Sequence, residues 1–168
     1  MTSEVQRGSA EAALRFEIEP HNCFACGELN EHGLQLRMHL AERGSWTELT
    51  LPRQFEGWDG IAHGGILATL VDEVMAWSLF TDDQVGLTAR LALDFRRPAP
   101  IGRPLRAEGW ITERRRLRYD TAARIVDVET GDLLAEATGV YMAAPPSRAR
   151  EIRERYGIRV ATPVGAGA

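Results

Sequence analysis

The longest apolar stretch of the chain, together with the turn that precedes it, reads HGGILATLVDEVMAWSLF from His63 to Phe80. Its apolar side chains leave no broad polar face, which is typical of a helix that is buried on all sides. The stretch is broken by Asp72, Glu73 and Ser78 and is too short to span a bilayer. We therefore predict one central buried helix from about Gly65 to Phe80.

Segments with the patterns of strands lie on both sides of this helix. Residues from Leu34 to Leu40 alternate between apolar and polar, which is the two-residue period of a half-buried strand. Five further segments, bounded by prolines or glycine turns, are predicted strands: Trp46–Leu51, Leu87–Phe95, Arg103–Glu113, Tyr119–Glu129 and Leu133–Met142. The order of two strands, one helix and four strands predicts an α+β domain, the hotdog fold, in which one antiparallel sheet of about six strands wraps around the central buried helix. The open edge of such a sheet favours self-association.

The two ends of the chain carry weaker patterns than this domain. Residues 1–20 predict an N-terminal arm, either a short helix or a loose segment, without the apolar run of a signal peptide. A Pro-Pro pair ends the compact part, so we place the domain at residues 21–146. In the C-terminal segment 147–168, Ser147 to Tyr156 is typical of a charged surface helix, and Thr162 to Ala168 is typical of a frayed tail. We expect a cytoplasmic protein.

Composition limits the classes of function. Hydrophobic residues make up 44% of the 168 residues and charged residues 26%, which is ordinary for a globular protein. The formal net charge of −4 argues against a general nucleic-acid binder, because such proteins usually carry a basic surface. An anionic ligand would therefore need local basic groups. All 20 basic residues are arginines; they include Arg96 and Arg97 and a group at 114–118, which we interpret as a solvated turn.

Two cysteines, Cys23 and Cys26, stand in the sequence Cys-Phe-Ala-Cys-Gly. One such pair is half of a zinc site at most, and the spacing of His21 and His32 to the pair matches no zinc motif. A redox dithiol would need a flanking strand and helix that the sequence does not show. We favour a tight turn with two half-buried thiols and expect no metal site, with a zinc-bound interaction module as the alternative.

The turn before the helix and the middle of the helix are the candidate chemical site. Residues 55–65 read FEGWDGIAHGG, and glycines before a helix N-terminus let a ligand carbonyl approach unpaired N–H groups. The same glycines are also typical of a purely structural turn. Asp72 has no cationic residue three or four positions away along the helix, so its burial is costly unless it works in catalysis or pairs with an arginine from elsewhere. Periodicity does not choose between Asp72 and Glu73.

From Cys23 to about Met142 the sequence resembles the hotdog acyl-CoA thioesterases of the phenylacetic-acid-degradation type, which are related to the 4-hydroxybenzoyl-CoA thioesterases. The matching pieces are CFACG followed by Asn30 and Gly33-Leu34, FEGWDG at 55–60, His63-Gly64-Gly65 with an acid nine residues past the histidine, Thr88, and Phe95-Arg96-Arg97-Pro98. The resemblance implies hydrolysis of an acyl-CoA to free acid and CoA without a cofactor. It also implies a homodimer or a dimer of dimers, in which each site takes residues from two subunits.

The same resemblance implies which residues carry the reaction. The catalytic carboxylate falls on Asp72 rather than Glu73, and it would act as general base or as nucleophile. The oxyanion donor falls on the backbone N–H of Gly65, while His63 is expected to shape the turn. Thr88 would position water or substrate.

Substrate contacts are expected at four further positions: Trp58, Gly64, Arg96 and Arg97. The two arginines would lie near the CoA phosphates, and Trp58, like Trp77, either lines the acyl pocket or belongs to the core. Some relatives carry an amide side chain six residues before the histidine, where this chain has Gly57. Gln54 is a candidate to take that role.

Two other functions stay open, together with the zinc-bound module. Hydratases and dehydratases on the same fold use an Asp–His pair, whereas the spacing of His63 and Asp72 suits the thioesterase pattern better. A non-catalytic acyl-CoA-binding protein could have the same fold, because a fold does not determine a function. We expect no nucleic-acid partner and no membrane.

Overall fold

A computed structural model of the protein describes residues 15–161. Most of the predicted arm and the whole of the predicted tail lie outside the described residues. Between residues 15 and 161 the chain forms ten β-strands and two α-helices. In chain order these are β1 (Arg15–Glu17), β2 (His39–Ala41), β3 (Gly44–Thr50), β4 (Glu56–Trp58), β5 (Ile61–Ala62), α1 (Gly64–Ser78), β6 (Gly86–Phe95), β7 (Pro104–Arg115), β8 (Arg118–Asp127), β9 (Leu133–Ala143), α2 (Pro146–Tyr156) and β10 (Arg159–Ala161).

Six of these strands form one antiparallel sheet in the order β2-β3-β7-β8-β9-β6. Strand β4 pairs with β5 in a short hairpin directly before α1. The predicted α+β hotdog fold, with about six antiparallel strands around one helix, is confirmed. Strand β6 is one of the two edges of the sheet and pairs only with β9 among the described residues.

Helix α1 packs against the inner face of the sheet and supplies much of the core. Its fully buried residues include Leu70, Val71, Val74 and Met75. The helix approaches β7 closely at Gly109, where a Cβ atom would lie 2.5 Å from the Val74 backbone, so a larger residue does not fit. The Ser45 hydroxyl on β3 donates a hydrogen bond to the Val74 carbonyl at 2.5 Å. These contacts fix how α1 is rotated over the sheet.

The predicted central helix is confirmed, with slightly different ends. It begins at Gly64 and ends at Ser78, and a 3-10 turn over Leu79–Asp82 continues it. The expectation that this stretch is too short to span a bilayer is wrong when the 3-10 turn is included, since by length and composition alone Gly64–Asp82 is long and apolar enough to cross a membrane. Its contacts with β3, β7, β8 and β9 are those of a core helix, and they explain the apolar composition without a membrane.

The predicted strand from Leu34 to Leu40 is wrong over most of its length. Gln35 has a φ of 47°, in the left-handed region that interrupts an extended chain. The N–H groups of Leu34 and Leu36 donate to the carbonyls of Phe24 and Ala25 in the preceding loop. The alternation therefore reflects an irregular segment packed on a loop, and only His39–Ala41 joins the sheet.

The N-terminal segment also differs from the predicted helix or loose arm where it is described. Strand β1 pairs antiparallel with β10, which follows α2. The backbone N–H of Glu19 donates to the Tyr156 carbonyl at the end of α2 at 2.8 Å. Residues from 15 onward are therefore attached to the C-terminal segment. The surface helix predicted at Ser147–Tyr156 corresponds to α2.

Candidate active site

The carboxylate of Asp72 lies on the side of α1 that faces β6 and β9. The Thr88 hydroxyl donates to Asp72 Oδ1 at 2.8 Å, and the Tyr141 hydroxyl donates to the same oxygen at 2.6 Å. The Asp72 residue is half-buried, and no arginine among residues 15–161 forms an ion pair with it. Its other oxygen, Oδ2, has no hydrogen-bond partner within that range. The carboxylate is thus held by two hydroxyls through one oxygen, with the second oxygen left for a reactant.

Tyr141 is the site residue that the sequence analysis missed. It is fully buried on β9, and its hydroxyl also contacts the Asp72 carbonyl at 2.9 Å. Burial, and then the hydrogen bond to Asp72, raise the pKa of Tyr141 well above its usual range, so this hydroxyl stays a donor. The signal was a tyrosine at an inward position of a strand otherwise lined by alanine and glycine, because a buried tyrosine hydroxyl needs a partner.

A bulge in β6 places Thr88 over Asp72. The pairing of β6 with β9 shifts between Thr88 and Arg90, so Ala89 is the extra residue. Thr88 lies opposite Tyr141, which directs both hydroxyls to the inner side of the sheet. Bulges next to reactive sites serve to redirect a side chain in this way.

The helix N-terminus is capped by His63. The backbone N–H of Gly65 donates to His63 Nδ1 at 2.9 Å, so the predicted oxyanion donor already has a partner in this structure. The His63 side chain and Gly65 are both exposed. Gly64 packs against the ring of Phe95 on β6, where a Cβ atom would lie 3.2 Å from the ring.

Several large apolar side chains near this site are exposed. Trp58, in the β4–β5 hairpin, is 82% exposed, so it does not belong to the core, whereas Trp77 is buried. On the edge strand β6, Leu87 is 78% exposed and Phe95 is 58% exposed. Large exposed apolar side chains can mark a surface that a partner covers.

Gly57, where some relatives carry an amide side chain, lies close to His63. A Cβ atom there would lie 3.0 Å from the His63 Cα atom. Gln54 is exposed, in a 3-10 turn over Arg53–Phe55, and makes no side-chain hydrogen bond to the described residues. Its proposed substitution for the amide stays a prediction.

The two arginines expected near CoA are exposed, but they already have carboxylate partners. Arg96 is hydrogen-bonded to Glu136, and Arg97 lies 3.7 Å from Asp132. In the second arginine group, Arg114 pairs with Asp82, and Arg115 and Arg118 also have carboxylate partners on their own strands. This second arginine group is therefore a solvated turn whose arginines form ion pairs. Binding of a phosphate at Arg96 or Arg97 would require exchange of an existing ion pair.

Glu73, next to Asp72, faces a different environment. The Trp77 indole N–H donates to its Oε1 at 2.9 Å. Burial raises the pKa of Glu73 to about 7, an effect that hydrogen bonds from Cys26 and Trp77 partly offset. No arginine forms an ion pair with Glu73 among residues 15–161. Asp72 thus faces strands β6 and β9 and Glu73 faces Trp77, and the choice of Asp72 as the catalytic residue stays a prediction.

The cysteine loop packs against the same side of α1 as Glu73. Cys23 and Cys26 are free thiols and both are half-buried. A hydrogen bond from the Cys26 side chain lowers the pKa of the Cys23 thiol to about 5, although burial of the thiol acts in the opposite direction. Cys26 Sγ lies 3.4 Å from His21 Nε2. The exposed His32 is not part of this group.

One cavity of the described chain lies away from Asp72. It has a volume of about 600 Å³ and is lined by the segment from Phe16 to His21, by Leu36 to Met38 and by Trp77. Asp72, Thr88 and Tyr141 do not line this cavity.

Residues 59–133 match the sequence profile of the Thioesterase superfamily. The bovine (Bos taurus) acyl-coenzyme A thioesterase THEM4 is 33% identical over 95 residues, which are 55% of this chain but only 38% of that protein. The Escherichia coli PaaI protein from the phenylacetic acid degradation operon has a TM-score of 0.60 at 20% identity, over 65% of this chain and 83% of its own. A Streptococcus mutans protein bound to acetyl-CoA has a TM-score of 0.61 at 17% identity, over 65% of this chain and 88% of its own.

At identities this low, the two solved structures show only that this chain shares their fold. The bovine relative is matched over less than half of its length. The sequence match nevertheless covers strand β5, the helix with Asp72 and strands β6 to β8, and each structural match covers 65% of the chain. The resemblance of this chain to the hotdog-fold acyl-CoA thioesterases is therefore confirmed.

Proposed function

We propose that the protein hydrolyses an acyl-CoA thioester and that Asp72 is its catalytic carboxylate. The observation that carries this proposal is the environment of the carboxylate. It lies in the middle of an apolar helix, it is held by the hydroxyls of Thr88 and Tyr141 through Oδ1, and it keeps Oδ2 free. Hydroxyl donors stabilise the charged form and fix its direction, as a general base or nucleophile requires.

The spacing of Asp72 and Gly65 supports a site shared between two copies of the chain. They are seven residues apart on one helix, which corresponds to about 10 Å along the helix axis. An oxyanion donor must lie within about 3 Å of the developing oxyanion, and the attacking group must reach the same carbonyl carbon. We therefore place Asp72 of one copy next to Gly65 of a second copy. Exposed Trp58, Leu87 and Phe95 would lie in this interface.

In the reaction, Asp72 Oδ2 takes a proton from a water molecule as the water oxygen attacks the thioester carbonyl carbon. The negative charge that forms on the carbonyl oxygen is stabilised by the Gly65 N–H of the second copy and by the positive end of its helix. The tetrahedral intermediate then expels the CoA thiolate, which takes the proton back from Asp72. Direct attack by Asp72 would instead form an anhydride that water hydrolyses, and single-turnover hydrolysis in ¹⁸O-labelled water distinguishes the two routes.

His63 must give up its hydrogen bond to Gly65 during this cycle. The His63 ring is exposed, so rotation of its side chain costs little and is compensated when the thioester carbonyl accepts the N–H. This assigns His63 a positioning role: it caps the helix when the site is empty and yields the N–H to substrate.

A hydrolysis panel of short, long and aromatic acyl-CoAs, followed by release of free thiol, tests the proposal. We expect turnover of at least one substrate by the wild-type protein, and none above background by Asp72→Asn. Gly65→Pro should lose roughly 100- to 1,000-fold in kcat because it lacks the N–H, while Gly65→Ala, which keeps it, serves as the matched control. Tight binding of CoA without hydrolysis of any substrate would favour the acyl-CoA-binding alternative.

A further inference from the structure

The loop that precedes β2 brings together three side chains that the proposed reaction does not use. One ligand-type atom each from His21, Cys23 and Cys26 lies within 4.8 Å of the other two. Two sulfurs and an imidazole nitrogen are the ligands that Zn²⁺ prefers, and ligand atoms in a tetrahedral zinc site are roughly 3.5–4 Å apart. The distance of 3.4 Å between His21 Nε2 and Cys26 Sγ is already close to that spacing.

The His21 ring is oriented as a metal ligand would be. Its Nδ1 lies 3.0 Å from the Glu19 backbone carbonyl. Since a carbonyl only accepts hydrogen bonds, Nδ1 must carry the proton, and the lone pair of Nε2 then points toward Cys26. A backbone carbonyl that fixes the second ring nitrogen is the usual outer partner of a metal-bound histidine.

The backbone of the loop holds the two sulfurs on one side. The Gly27 N–H donates to the Cys23 carbonyl at 3.0 Å and closes a tight turn. A Cβ atom at Gly27 would lie 2.4 Å from the Cys23 nitrogen and from the His21 carbonyl oxygen, so the turn requires glycine. The ligand geometry therefore comes from a packed turn and not from mobile side chains.

Charge and access also favour a cation at this position. Glu73 on the adjoining side of α1 accepts a hydrogen bond from the Trp77 indole and has no arginine partner among the described residues. His21 and Cys26 line the cavity of about 600 Å³. An ion can enter from that side, and a fourth ligand such as water can reach it.

Against the expectation from the sequence that the chain has no metal site, we propose that this protein binds one Zn²⁺ ion through Cys23 Sγ, Cys26 Sγ and His21 Nε2, with the fourth coordination position open to the cavity. The two thiols bind as thiolates and release their protons to solvent. The ion joins the loop at residues 21–27 into one unit that packs against α1 on the side away from Asp72.

Metal content of the full-length protein, purified under reducing conditions with zinc supplied, tests this proposal. We expect about one equivalent of Zn²⁺ per chain, and its loss from Cys23→Ser and from His21→Gln. His32→Gln is the matched control, since His32 is a nearby exposed histidine outside the cluster, and it should keep the metal. Far-ultraviolet circular dichroism of each variant shows whether loss of metal reflects loss of fold.

Cobalt substitution of the wild-type protein gives a second readout that needs no variant. Co²⁺ at this site should produce the thiolate-to-cobalt charge-transfer absorption and the strong visible bands of tetrahedral coordination. Wild-type protein that retains no zinc, gives no such bands and titrates with two freely reactive thiols, or with a disulfide between them, would overturn the proposal. So would a His32→Gln variant that loses the metal while His21→Gln keeps it.

Discussion

Asp72 and Glu73 are consecutive acids on one helix, yet they face two different regions of the molecule. One residue along an α-helix corresponds to a rotation of about 100°, so Asp72 meets the hydroxyls of Thr88 and Tyr141 beside the open edge strand. Glu73 meets the indole of Trp77 and the thiol of Cys26 in a closed region, and burial raises its pKa to about 7. The difference shows that the neighbours of a carboxylate, and not its position in a motif alone, determine what it can do.

The strongest test of this difference is the pair Asp72→Asn and Glu73→Gln. Asp72→Asn removes the base and should lower kcat by at least about 100-fold, whereas Glu73→Gln, which keeps an oxygen for the Trp77 N–H, should stay within a few-fold of wild type. Both are measured as free-thiol release with the best acyl-CoA of the panel. Equal losses in the two variants would mean that the helix tolerates no change at either position and that the assignment to Asp72 is unsupported.

A smaller effect is expected from the two hydroxyls that hold Asp72. Thr88→Val and Tyr141→Phe each remove one hydrogen bond to a charged group, worth about 1.5–3 kcal/mol, and should lower kcat by roughly 10- to 100-fold. The fold should persist, because both changes preserve shape; thermal unfolding checks this. Loss of activity only in proportion to loss of folded protein would indicate that the hydroxyls are structural.

On the Glu73 side the expected effect is on stability and not on turnover. In metal-free protein the folded state holds a proton on Glu73 up to about pH 7, whereas an ordinary glutamate loses it near 4.5. The stability of the wild type should therefore fall as the pH rises through this window and level off above it. Glu73→Gln lacks this penalty, so its advantage should grow with pH, by at most on the order of 3 kcal/mol.

Urea unfolding of both proteins at several pH values, with a chelator present, measures this difference. A free energy of unfolding whose pH dependence is the same in wild type and in Glu73→Gln would show that Glu73 titrates normally. That result would place Glu73 in contact with solvent and remove the contrast with Asp72.

Much of the fold followed from local patterns. The all-round apolar helix and five of the six predicted strands could be predicted from periodicity and turn residues alone. These two features depend only on residues that are close together in the sequence. The predicted strand at Leu34–Leu40 failed because its alternation arises from packing on the cysteine loop, a contact between segments distant from the sheet. Such contacts leave no periodic signal.

The candidate site was less accessible to sequence reasoning. The choice of Asp72 over Glu73 came from the family resemblance. A helix that is buried on all sides has no polar face, so its sequence does not show which side faces the site. Tyr141 and Cys26 lie 69 and 46 positions from Asp72 along the chain; sheet pairing brings Tyr141 to Asp72, and loop packing brings Cys26 to the far side of α1. The hydrogen bond from Gly65 to His63 depends on a side-chain rotamer and carries no sequence signal.

The most direct measurement of a shared site is complementation between two inactive variants. Asp72→Asn chains keep Gly65, and Gly65→Pro chains keep Asp72, so unfolding and refolding the two together should form mixed dimers in which one of the two sites is intact. We predict that the mixture releases thiol from acyl-CoA well above the sum of the separate variants, up to about a quarter of wild-type activity if chains pair at random. A mixture that exchanges subunits but stays as inactive as its components would contradict a site built from Asp72 of one chain and Gly65 of another.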